Sequence, residues 1–371
     1  MPYMQRTRIM TASDLDDATT WRQRLDLSGK ITALELRINC DRYAVRTLNT
    51  VVYTLLDCIS RIELLQDATT PLLSLTGEQI DAMNYWDLKR PNARRYRQEA
   101  GTGNDIILFL MGGRSIYDKE YGWDFDRLSK VYLEYTYNLH EGSADYFKAN
   151  DHDIKIYAYQ WKGSDVPSFR GYMRSKQLDS WTTTAADAEH LVEVPPSNPI
   201  RRVCVQANTR TATIGGTFSK LELRVGKGAY SPVIINAPMD WAMAEVAEYG
   251  LHNEIGGLDY LVASTEMDLP YWFSYYEHIQ AQNYGASGQP VINTHFITLP
   301  ARLQATTAVA GEVSFSVKGW GFQKCLRVGF DHEYDGSDLL RVSSGQAIDL
   351  VCTEAAASKV AAAFVQDVVN Y

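Results

Sequence analysis

The chain has 371 residues, 45% of them hydrophobic and 22% charged, with a net charge of −9. That is long enough for two domains and too apolar for wholesale disorder. Residues 1–194 hold 24 basic and 28 acidic side chains and residues 195–371 hold 12 and 17, so neither half is a basic nucleic-acid-binding domain.

The opening MPYMQRTRIMTASDLDD lacks the apolar core of a signal peptide. A terminal helix is expected over 9–25 behind Ser13, so residues 1–24 are read as an N-terminal arm or helix, with Arg6 and Arg8 in a frayed tail or against an inner anionic surface. Ile31, Leu34, Leu36 and Ile38 fit the alternation of a half-buried strand. Ile59-Ser-Arg-Ile62-Glu-Leu64 predicts a second strand. Thr76-Gly-Glu-Gln79 fits a capping box, and Ile80, Met83 and Trp86 follow at helical spacing. The longest wholly apolar run, 106–111, is far short of the ~20 residues of a membrane-spanning helix. Alternation at 131–137, 154–159 and 313–317 predicts further strands. Pro238–Tyr249 begins with proline and is rich in helix formers. The Ala-rich stretch 354–364 fits helix or strand equally. The pattern is all-β with short helices in its loops. Cys40, Cys58, Cys204, Cys325 and Cys352 lie far apart, with no C-x-x-C pair. They read as buried free thiols of a chain made in a reducing compartment.

An internal repeat organises these elements. Ile59-Ser-Arg-Ile-Glu-Leu64 is echoed by Phe218-Ser-Lys-Leu-Glu-Leu223, Pro71-Leu-Leu73 by Pro232-Val-Ile234, Met83 by Met243, and Ile31-x-x-Leu34-x-Leu36 by Ile200-x-x-Val203-x-Val205. The matches keep one order, so the chain reads as two copies of one β-domain. Glu193-Val-Pro-Pro-Ser-Asn-Pro199 is proline-rich and reads as a stiff connector near the join.

Enzyme signatures are missing: no G-x-S-x-G, P-loop or H-E-x-x-H occurs. Asp151-His152-Asp153 and Asp331-His332-Glu333 suggest metal ligands at first sight. On a strand, however, the acids face one way and the histidine the other, and both triplets read as solvated turns. No catalytic residue, metal site or cofactor is expected. One basic cluster stands out: Lys89, Arg90, Arg94, Arg95 and Arg97. It is either a solvated loop with local ion pairs or a contact with an acidic neighbouring subunit or with phosphates. Tyr271, Trp272, Phe273, Tyr275 and Tyr276 are too aromatic for a solvated loop and read as an interface between subunits.

The sequence resembles the double jelly-roll major capsid proteins of tailless icosahedral viruses, which often enclose a membrane. The resemblance is carried by Leu25-Asp-Leu27 leading into 31–38, by 59–64 and by the helix-bearing loop 77–86. In the second half it is carried by Leu191-Val-Glu-Val-Pro195 leading into Ile200-Arg-Arg-Val-Cys-Val205, and by 218–223. It covers nearly the whole chain from Leu25. It implies two tandem eight-stranded jelly-roll β-barrels, placed at 25–190 and 191–371. It further implies a non-catalytic protein of the virion, made in the host cytoplasm, that forms homotrimers and a capsid lattice. Implied partners are minor capsid or vertex proteins and, through the N-terminus, inner membrane lipid, with no sequence-specific nucleic acid. The competing reading is a tandem jelly-roll carbohydrate-binding or spike protein.

Overall fold

Alternating apolar residues that cannot all be buried in one layer drive the chain into paired sheets. The computed structural model describes all residues except 43–53, 91, 98–102, 141–146, 209–212, 227–229, 234–237, 250–251, 261–265, 269–272, 286–289, 293–301, 305–310, 332–334 and 344–345. In the first half the strands are β1 (Tyr3–Ala12), β2 (Ala18–Leu25), β3 (Lys30–Arg42), β4 (Ile59–Gln66) and β5 (Thr70–Leu75). Helix α1 (Gly77–Leu88) follows, then β6 (Arg94–Arg97), β7 (Gly103–Met111), β8 (Trp123–Asp124), β9 (Val131–Asn138) and β10 (Phe147–Lys162). One sheet runs β1-β10-β3-β7 and the other β2-β9-β4-β5. Chain order switches between the two sheets as in a jelly roll, which closes most strand edges against each other.

The second half repeats this plan. Its strands are β11 (Gly171–Thr182), β12 (Glu189–Val194) and β13 (Ile200–Ala207), then the turn α2 (Ile214–Thr217), β14 (Phe218–Val225) and β15 (Tyr230–Val233). After α3 (Pro238–Tyr249) come β16 (His252–Tyr260), β17 (Glu266–Asp268), β18 (Phe273–Gly285), β19 (Pro290–Ile292), β20 (Arg302–Gln304) and β21 (Gly311–Phe322). Strands β22 (Cys325–Gly329), β23 (Ile348–Glu354) and β24 (Val360–Asn370) complete the chain. The sheets are β11-β24-β13-β22 and β12-β23-β14-β15. Each strand of the sequence repeat therefore occupies the same place: β3 with β13, β4 with β14, β5 with β15, and α1 with α3.

Three expectations are corrected. Residues 1–24 are not an arm or helix, because Tyr3–Ala12 and Ala18–Leu25 are strands. Ladder pairing to β10 and β9 outweighs a weak local helix signal. Strand β11, assigned to the first half by sequence, pairs along its length with β24 at the end of the chain, so the second set of strands starts at Gly171 rather than at 191. The proline-rich 195–199 then falls between β12 and β13 within one half. The link between halves is 163–170, opened by Gly163 at φ +97°, a conformation that favours glycine. The Ala-rich C-terminal stretch resolves into a turn followed by strand β24.

The halves are not separate bodies. Strand β5 pairs with β11 in parallel, Leu73 beside Ser175 and Ser74 beside Lys176, which fuses one sheet from each half into eight strands. The first core cluster also takes in Cys204, Phe322, Cys325 and Phe364 from the second half. The segment between β15 and β22 builds its own sheet, β16-β21-β18-β19, which joins the first half through β6.

Candidate functional site: the charged seam between the halves

Helix α1 begins with the expected capping box. The Gln79 amide donates to Thr76 Oγ1 at 3.2 Å, and the Thr76 amide donates to Gln79 Oε1 at 3.1 Å. It ends where Lys89, at φ +54°, donates its amide to the Tyr85 carbonyl. Every residue from Gly77 to Asp87 is buried, although Glu78, Asp81, Asn84 and Asp87 are polar or charged. One face packs on the first core through Ile80, Met83 and Trp86. The polar groups meet partners from both halves.

Asp87 Oδ1 accepts from Arg201 Nη1 at 2.8 Å and from Arg202 Nη2 at 2.6 Å, each side chain at most 2% exposed. Arg201 also donates to Asp331 at 2.9 Å and to Gln366 at 2.9 Å. Gln206 donates to Glu78 at 2.7 Å and accepts from Gln79 at 3.1 Å. Asp81 accepts from Asn92 at 2.9 Å, Arg94 at 2.8 Å and Gln323 at 2.6 Å. Asn84 fixes the β7 side, donating to the Phe109 carbonyl and accepting the Phe109 amide at 2.6 and 2.7 Å. Asp81, Asp87 and Asp331 each pair with an arginine, as burial of charge demands. The seam ties the two halves to each other through side chains of both.

The basic cluster is divided by the fold, which corrects its reading as one patch. Lys89 and Arg90 are exposed after α1. The Arg94 side chain is 3% exposed, pairs with Asp81 and lies 5.1 Å from the Phe322 ring. It is neither solvated nor available to an outside phosphate. Arg95 and Arg97 lie on β6, which bridges β7 and β16. The second half has no counterpart of this cluster because its corresponding segment is the long insertion. Of the aromatic run, Tyr271 and Trp272 lie outside the described residues. Phe273, Tyr275 and Tyr276 lie on β18, opposite Phe322, Trp320 and Gly319 of β21.

Two features escaped the sequence reading. Arg6 is not in a frayed tail; it donates twice to Glu35 at 2.7 Å and stacks 3.7 Å from the Tyr157 ring. Burial alone would raise the Glu35 carboxyl, but hydrogen bonds from Arg6, Arg37 and Tyr159 hold it below the usual carboxylate value. His152 is not a solvated turn residue. It lies on β10, fully buried, 3.1 Å from the Tyr135 hydroxyl and edge-on to the Tyr137 ring at 4.6 Å. Asp151 and Asp153 do face the opposite side, as alternation requires. His332 and Glu333 lie outside the described residues. All five cysteines are buried free thiols. Among the described residues no group of three or more metal-ligating side chains occurs.

Desolvation lowers the His152 imidazole from its ordinary 6.5 to about 4. Above pH 6.5 both folded and unfolded forms are neutral. As pH falls from 6.5 towards 4 only the unfolded chain takes up the proton, so stability is lost. The loss attributable to His152 is expected to be about 2 kcal/mol at pH 5. Urea midpoints at pH 7 and pH 5 for the parent and for His152→Gln check this; an equal acid loss in both would contradict it.

No protein-family model matches the chain, and no curated protein matches it by sequence. Solved structures do match. The STIV MCP is 10% identical over 99% of this chain and 96% of that chain, with a TM-score of 0.61. A chain of the atomic structure of Sulfolobus Turreted Icosahedral Virus is 10% identical over 98% and 90%, with a TM-score of 0.60. The major capsid protein P2 from bacteriophage PM2 is 7% identical over 99% and 98%, with a TM-score of 0.54. At such identities the likeness is one of fold. With the strand order above, it establishes that this chain folds as a double jelly roll.

Proposed function

We propose that this chain is a viral major capsid protein that assembles as pseudo-hexagonal homotrimers into an icosahedral shell. One observation carries the reading: two strand sets of the same plan are fused through β5 and β11 and locked by a buried ion-pair seam, in a fold shared along nearly its whole length with capsid proteins. A fixed pair of equivalent units suits a tile, since three chains then present six similar faces. The role is structural and non-catalytic, and the site of action is the virion after synthesis in the host cytoplasm, in keeping with five buried free thiols. Minor capsid or vertex proteins and inner membrane lipid belong to the same proposal as partners. The carbohydrate-binding alternative draws no support from Tyr121, Tyr135 and Tyr137, which are buried in the chain's own core rather than set in an open groove.

Light scattering on the purified protein tests the reading. Three chains of 41.8 kDa give about 125 kDa, which is the expected mass, with larger particles at higher concentration. A species of one chain at all concentrations would overturn it.

A further inference from the structure

The halves share register as well as strand order. Ala158 of β10 faces Thr7 of β1 and Leu34 of β3, while Val365 of β24 faces Lys176 of β11 and Val203 of β13. Thr7 to Lys176 and Leu34 to Val203 are both steps of 169 residues. Strand β1 is therefore the counterpart of β11. On the other sheet Leu64 faces Leu73, and Leu223 faces Val233, so β15 is the counterpart of β5, with Val233 in the place of Leu73, one residue earlier than the Pro71–Pro232 match of the sequence repeat places it.

Inside the chain β5 and β11 are joined edge to edge. Their counterparts are not joined to each other. Among the described residues β15 ends the sheet β12-β23-β14-β15, and β1 ends the sheet that begins β1-β10-β3. Strand β1 offers ten residues, with Gln5, Arg6, Thr7 and Arg8 exposed. An open edge of that length is a template for another strand. The Arg6 guanidinium is already held by Glu35 and Tyr157 of its own sheet, which leaves the main-chain edge free of a competing side chain.

We propose that β15 of one copy docks in parallel on β1 of the next, repeating between chains the β5–β11 contact made within each chain. The inference rests on the self-assembly reading and names the surface that performs it. By the same steps Ser175 corresponds to Arg6 and Leu73 to Val233, so Arg6 of one copy lies beside Val233 of its neighbour, and continuing one residue back along both parallel strands brings Gln5 next to Pro232. The contact is heterologous: every copy presents one β1 and one β15, and a constant rotation closes the ring. The occupant is a second copy of this chain because the two open edges are the equivalents of edges that already fit each other.

The double variant Gln5→Cys with Pro232→Cys tests this by mild oxidation and a non-reducing denaturing gel. Covalent species of two and three chains are expected, absent from either single variant. The native cysteines are buried and contribute little background. In the unaltered protein, hydrogen exchange should show amides of β1 and β15 becoming protected as the mass rises from one chain to three. Failure of both readouts in a protein of trimer mass overturns the docking of these edges and leaves self-assembly standing. A single-chain mass at every concentration overturns self-assembly and this inference with it. Cross-linking by Gln5→Cys alone would mean β1 meets β1 across a twofold axis, which also overturns it.

Discussion

Asp87→Ala is expected to cost about 3–5 kcal/mol of stability, the range for breaking a buried ion pair from one side. Asp87 accepts from both Arg201 and Arg202, and all three side chains are at most 2% exposed. Removing it leaves two guanidinium groups together in a buried site with one carboxylate fewer, while the Arg201–Asp331 pair at 2.9 Å stays in place. The Arg202 guanidinium lies 5.8 Å from the Trp86 ring, which itself stacks on Phe364 at 6.5 Å, so apolar rings rather than solvent border the pair. The loss falls on the junction of α1 with β13 and so on the relative placement of the halves. Calorimetry should show a lowered transition that broadens or splits as the halves uncouple. Replacing Asp87, Arg201 and Arg202 together by apolar residues of similar volume should recover much of the loss, since desolvation of the charges is then no longer incurred. A single Asp87→Ala variant within about 1 kcal/mol of the parent would show that solvent reaches the seam.

Much of the fold was legible because jelly-roll strands are half-buried and carry a period of two. The strands containing Ile31, Ile59, Val131 and Ile154 all fall where alternation places them. The repeat was legible because duplicated strands keep the same faces buried: Ile62 and Leu221 are both fully buried, as are Leu64 and Leu223. Strands β1 and β2 escaped because they lie at sheet edges and are largely exposed, which removes the alternation that marks a strand. The join was misplaced because prolines mark any stiff loop, and 195–199 is a loop within the second half. The seam escaped for a different reason. Its partners lie far apart in sequence, Asp87 from Arg201 by 114 residues and Asp81 from Gln323 by 242, and neither composition nor local spacing reports such pairs. His152 escaped because alternation assigns it a face without saying which face is inside.

The basic cluster gives the sharpest contrast between its members. Like charges packed into nine residues suggest a loop awaiting an anion, but only if no anion is already present. Asp81 lies 13 residues before Arg94 on the buried side of α1, and their 2.8 Å pair answers the charge from within. Arg94→Ala is therefore expected to cost about 3 kcal/mol or more, because Asp81 would keep hydrogen bonds from Asn92 and Gln323 but lose its cation in a buried site. The Phe322 ring would lose its cation at the same time, adding to the loss. Arg90→Ala, at an exposed position beyond the helix, should stay within about 0.5 kcal/mol. Salt separates the two further: raising it to about 1 M should leave the Arg94 effect nearly intact, since buried pairs are poorly screened. Urea unfolding of both variants at low and high salt measures this. Equal, small and salt-sensitive effects would put Arg94 back in solvent and restore the cluster to a single surface patch.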